Sequence, residues 1–119
     1  MVVIKKKSSV IPVDFGEFKL EFSKSDENLK RLDSIAADLE AKGKELSGKT
    51  NTEALDKAAV FLKGTWDRLF GEGAYEKVDA FADHVTIDVM TYLVEAINGL
   101  NEEILGLENK EALKRYLGD

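Results

Sequence analysis

The sequence predicts a mainly α fold: a small helical domain of four to five helices with a short N-terminal β-hairpin. Three observations lead there. From residue 25 onward, apolar residues recur at intervals of three and four through several stretches, the spacing of one helix face. Before that, apolar and polar residues alternate around Phe18, Leu20 and Phe22. Clusters containing glycine separate these stretches and mark turns.

The chain has 119 residues, a length that suits one domain over 1–119, with a β element at 1–24 and a helical body at 25–119. A chain of this size buries enough surface to fold without a metal or a disulfide. In the β element, Phe18, Leu20 and Phe22 alternate with Lys19 and Glu21, the pattern of a half-buried strand. Val10 to Phe15 reads as its partner, turning near Asp14–Gly16. Pro12 places that partner at an edge. Two strands alone are marginal, so the hairpin must pack on the helices or pair with another chain.

Ser25 is suited to cap the first helix, with Asp26 and Glu27 at its positive end. Leu29, Leu32, Ala36, Leu39, Gly43 and Leu46 continue it to about residue 46, with Ile35 widening the stripe. Ser47 to Asn51 is a turn cluster, and Thr52 is expected to cap the second helix. Leu55, Ala58, Ala59, Leu62, Trp66, Leu69 and Phe70 form its apolar set, and Gly71-Glu72-Gly73 ends it. Tyr75, Val78, Phe81 and Ala82 mark a short third helix. A longer fourth begins near residues 83–86, with Val89, Leu93, Ala96, Ile97, Leu100 and Ile104 on one side. Asn109 to Leu117 is expected to form a last short helix, with Leu113, Tyr116 and Leu117 together. The expected core comprises Leu29, Leu32, Leu62, Trp66, Phe81, Leu93 and Ile97.

Charge is unevenly placed. The net charge is −6, yet residues 1–24 carry five lysines and three acids. Residues 72–108 hold nine acids and only Lys77. That block disfavours nucleic acid as its partner. It suits a basic partner, or serves solubility alone. There is no cysteine, which excludes disulfides, thiolate metal sites and cysteine nucleophiles and fits a cytoplasmic location. No apolar run is long enough for a membrane span, and the N-terminus does not read as a secretory signal, because its lysines follow the apolar residues.

Motifs for chemistry are weak. Gly43 and Gly48-Lys49-Thr50 match a phosphate-loop string formally, but that loop needs a preceding strand and this one follows a helix. Gly71-x-Gly73 lacks the third glycine of a dinucleotide fingerprint. His84 is the single histidine, with Asp79 and Asp88 in helical reach. Such a residue is more often a surface or cap residue than a ligand. No glycine-flanked serine elbow accompanies it. The expectation is a non-enzymatic protein with no catalytic, cofactor-binding or metal-binding residues. Trp66, Phe70, Tyr75 and Phe81 sit among acids rather than bases, so they read as core rather than as a base-stacking platform.

The stretch Trp66-Asp-Arg-Leu-Phe-Gly-Glu-Gly-Ala-Tyr-Glu-Lys-Val resembles a segment of the tail assembly chaperones of long-tailed phages and prophages of Gram-positive bacteria. A helix ending in a Leu-Phe-Gly-Glu-Gly-like turn, a short helix with Lys77, and an aliphatic helix over Val89 to Ile104 follow that pattern. The short β element with Phe18 and Phe22 and the Leu-rich helix after it extend the similarity over roughly residues 10–105. Phe81-Ala82-Asp83 stands where related chains often carry a Phe-Gly-Asp-type turn. The resemblance implies a cytoplasmic assembly factor of the bacterial host cell that binds the helical tape measure protein and keeps it soluble before the tail tube forms around it. The alternative is a helical regulatory or structural interaction module with another protein partner.

Two groups of residues are the candidate partner surfaces. Phe18, Leu20 and Phe22 lie on strands whose open edges suggest self-association. Leu113, Tyr116 and Leu117 lie on a segment too short to be stable as an isolated helix, and are the expected client contacts.

Overall fold

The computed structural model describes residues 1–106. Strands β1 (Val10–Asp14) and β2 (Lys19–Ser23) precede helices α1 (Asp26–Leu46), α2 (Thr52–Phe70), α3 (Ala74–Phe81) and α4 (Thr86–Ile104). The mainly α architecture and the N-terminal hairpin agree with the sequence reading. The expected last helix, with Leu113, Tyr116 and Leu117, lies outside the described residues.

The hairpin is antiparallel, with Ile11 opposite Phe22 and Val13 opposite Leu20. Its turn is set by Asp14, whose Oδ1 accepts the Gly16 N–H at 2.7 Å, while Gly16 adopts φ +85°. Side-chain oxygens of Asp bond their own backbone in this way at turns. Phe18 therefore falls at the end of the loop, and β2 starts one residue later. Ile11, Leu20 and Phe22 are buried against the helices, which supplies the support that two strands need.

At the start of α1 the Ser25 hydroxyl accepts the Asn28 N–H at 3.2 Å, as its sequence position suggests. The N-cap of α2 is Asn51, not Thr52: Asn51 Oδ1 accepts the Ala54 N–H at 2.9 Å. Asn51 has the extended backbone a cap needs, and Asn is the better capping residue. Thr52 is already the first helical residue. Arg31 ties the two helices together. Its guanidinium donates to the Arg68 carbonyl at the end of α2 (3.2 Å) and to Asn28 Oδ1 (3.1 Å). A cation there also suits the negative end of the helix dipole.

Helix α2 packs against α1, α3, α4 and β2. Trp66, on its inner face, is fully buried. Its ring lies 5.5 Å from Phe70 and 6.2 Å from Phe15, and Phe70 in turn lies 6.3 Å from Phe22. Leu32, Ile35, Leu62, Val78, Val89, Leu93, Ile97 and Leu100 are among the other members of this core. Leu29 and Phe81, both expected inside, are half-buried. Leu29 sits near the start of α1 and Phe81 ends α3, so both are at the margins of the cluster.

The Leu69 to Gly73 stretch is a tight junction between α2 and α3. Gly71 adopts φ 103°, ψ 163° and donates its N–H to the Asp67 carbonyl at 2.9 Å; Gly73 is left-handed at φ 91°. The Asp67 carboxylate accepts the Tyr75 N–H at 3.0 Å, satisfying a donor in the first turn of α3. Both glycines are thus explained by backbone geometry.

Two predictions follow from this core and junction. Trp66→Ala should cost about 3–5 kcal/mol in urea unfolding, and a loss below about 1 kcal/mol would contradict its place in the core. The indole Nε1 finds no acceptor among the described residues, so Trp66→Phe should cost much less, because it removes a buried unsatisfied donor. Gly71→Ala should cost about 1–3 kcal/mol, since its backbone region is nearly exclusive to glycine. Gly43→Ala, inside α1 with open space around it, should instead stabilise by roughly 0.5–1 kcal/mol. Equal effects at the two glycines would refute the assignment.

Candidate protein-binding groove

Helix α4 carries two adjacent stripes. Val89, Leu93, Ala96, Ile97 and Leu100 face the core and are buried. Tyr92, Ala96, Gly99 and Glu103 follow at spacings of four, three and four, and so share a neighbouring face. β1 packs beside that face. Between them lies an open groove of about 470 Å³, lined by Ile11, Val13 and Phe15 on one side, by Phe81, and by Tyr92, Ala96, Gly99 and Leu100 on the other. Gly99 keeps it deep: a Cβ added there would meet nothing within 4 Å.

One end of the groove is aromatic. Phe15 stacks on Phe18 at 4.6 Å and meets Phe81 edge-on at 5.2 Å. Phe81 and Tyr92 lie 5.6 Å apart. All four rings are half-buried. They therefore present apolar edges and faces to solvent while resting on the core through the contact of Phe15 with Trp66. Around this floor stand Asp14, Glu95 and Glu103, and among the described residues no Lys or Arg lines the groove. An apolar channel whose described charged border groups are acidic favours a partner that is apolar on one side and basic on the other.

The β1 wall does not readily accept another strand. The bonds Phe15 N–H to Phe18 O (2.9 Å) and Lys24 N–H to Ser9 O (2.8 Å), with the register, set the phase of the ladder. Odd-numbered β1 residues bond to β2, and Val10, Pro12 and Asp14 turn their backbone groups outward. Pro12 has no N–H to offer. The Ser8 hydroxyl donates to the Val10 carbonyl at 3.0 Å and accepts the Val10 N–H at 3.4 Å. Proline and local capping of this kind blunt an edge strand. A partner in the groove is therefore held through side chains.

The sequence-predicted contact residues divide. Phe18 supports the aromatic end by packing on Phe15 and Phe81, without lining the groove itself. Leu20 and Phe22 are buried in the chain's own core, so a partner meeting the hairpin reaches its backbone edges and not these side chains. Leu113, Tyr116 and Leu117 lie outside the described residues. Phe15, Tyr92, Gly99, Glu95 and Glu103 were not singled out from the sequence. For Tyr92, Gly99 and Glu103 the second stripe on α4 was the signal, but it contains a glycine and a glutamate and does not stand out as apolar.

Other surfaces carry less. Val60 and Leu55 are exposed on α2, next to half-buried Phe61. The border of that shelf mixes Lys42, Lys57, Glu45 and Asp56, so it selects no sign of charge. His84 Nδ1 lies 2.6 Å from Asp79 Oδ2. The two residues belong to a turn in which Asp83 and His84 are both left-handed, with the His84 N–H donating to the Asp79 carbonyl at 2.8 Å. Among the described residues, no three metal-ligating side chains gather, and no helix is long and apolar enough to cross a membrane. The Gly48-Lys49-Thr50 string follows α1 and precedes α2, in a context unlike a phosphate loop. No protein-family model, curated protein or solved structure matches the chain.

The edge analysis is testable. Pro12→Val combined with Ser8→Ala restores an outward N–H and uncaps Val10. In light scattering this variant should form species larger than the wild type, growing with time. An unchanged mass distribution would show that β1 is protected by something else.

Proposed function

We propose that this chain is a non-enzymatic tail assembly chaperone, which binds the tape measure protein of a long-tailed phage or prophage and keeps it soluble. The observation that carries the binding role is the groove: an aromatic and aliphatic channel with an acidic border and a wall closed to strand addition. An amphipathic helix with basic flanks satisfies its own backbone and presents side chains in the way such a channel requires. The similarity of Trp66 to Val78 to tail assembly chaperones supports the identity of the client. The residues of that segment build the α2–α3 junction, so it bears on the fold, and the groove bears on the binding.

Apolar contact would supply most of the affinity, at about 25 cal/mol per Å² of apolar surface removed from water, less the cost of association. Exposed acids add little to affinity. Their main effect is on the association rate, so raising salt should slow capture far more than it speeds release. The test is co-expression with the tape measure protein. The wild-type chain should move that protein into the soluble fraction, and Gly99→Phe, which fills the apolar channel where there is open space, should do so much less. If the tape measure protein is equally soluble without this chain, the chaperone reading fails.

A further inference from the structure

The chain itself contains a segment with the chemistry the groove favours. Residues 1–8 belong to neither a strand nor a helix. Met1, Val2, Val3 and Ile4 hold their side chains in solvent, at 114, 87, 67 and 90% exposure, and Lys5, Lys6 and Lys7 follow directly. Four consecutive apolar side chains in water are a costly arrangement, of the kind that marks an interaction surface. We propose that this arm docks in the β1–α4 groove of a second copy of the chain, with Val2 and Ile4 on the apolar floor and Lys5 and Lys6 against Asp14, Glu95 and Glu103.

Three observations favour a second copy over the arm's own groove. First, polarity and charge match: the arm is apolar then basic, and the groove is apolar with an acidic border. Second, the arm runs straight into β1, one wall of its own groove, and Ser8 is bonded to Val10 on the outer edge of that strand. Return to the same groove would need a sharp reversal beside those bonds, and the exposed side chains show that the chain does not make one. Third, residues 1–9 can span up to about 30 Å when extended, enough to cross to a neighbouring molecule. Two arms and two grooves exchanged about a twofold axis close the assembly as a dimer. This self-recognition does not require the client. If the groove also takes the client as proposed above, arm and client compete for it.

Light scattering with complementary variants tests the exchange. The wild-type chain should be a dimer at micromolar to tens-of-micromolar concentration. Val2→Asp with Ile4→Asp removes the arm's apolar contacts, and Gly99→Phe fills the groove at a helical position with open space. Each variant should keep the wild-type circular dichroism and raise the dimer dissociation constant at least tenfold. Mixing the two should restore heterodimers, because an intact arm then meets an intact groove. Since the chain has no cysteine, Ile4→Cys with Gly99→Cys provides a direct check. Oxidation should give a covalent dimer on non-reducing gels. A wild-type monomer, variants that keep the wild-type mass, or a disulfide closed within one chain would each overturn the proposal.

Discussion

The buried indole of Trp66 is the contact on which the rest of the domain depends. It lies on the inner face of α2, the helix that touches α1, α3, α4 and the hairpin. Through Phe70 it reaches Phe22 of β2, and on its other side it meets Phe15 at the loop end of the hairpin. A two-stranded hairpin has little stability of its own. Its place is secured because Ile11, Leu20 and Phe22 are covered by the helices and because Phe15 rests on the indole. Loss of the indole would therefore release the hairpin as well as open a void in the helical core.

The groove follows from that arrangement. The hairpin is pinned by β2 and its aromatic loop end, so β1 stands as a free wall beside α4. The wall is kept from pairing by Pro12 and by Ser8, and the channel is kept open by Gly99. The acids at its border belong partly to the acidic stretch 72–108. Among the described residues, uneven charge along the sequence thus becomes a border of one sign at the groove, while the shelf between α1 and α2 carries both signs.

Much of the fold was legible because long helices announce themselves by spacing. The bounds of α1 and the buried stripe of α4 follow directly from the positions of Leu29 to Leu46 and Val89 to Leu100. The Ser25 cap was readable from residue type and position. At α2 two capping residues, Asn51 and Thr52, stand side by side, and which one caps is decided by backbone geometry that the sequence does not display. Phe18, Leu20 and Phe22 read as one apolar face, and so they are, but burial in the chain's own core removes Leu20 and Phe22 from any partner's reach. The groove was not legible. It is made by residues distant in sequence, Val13 and Phe15 against Tyr92 and Gly99, and depends as much on an absent side chain as on present ones. The Leu69 to Gly73 motif was visible, and its physical content is two backbone conformations suited to glycine.

Amide chemical-shift mapping on the full-length chain, titrated with a helical peptide of leucine and lysine, tests most directly whether the groove is the binding surface. Shifts should concentrate at Val13, Phe15, Phe81, Tyr92, Gly99 and Glu103, and an equivalent peptide of leucine and glutamate should cause none of comparable size. Shifts centred on Val60 and Phe61, or equal responses to the two peptides, would contradict the assignment.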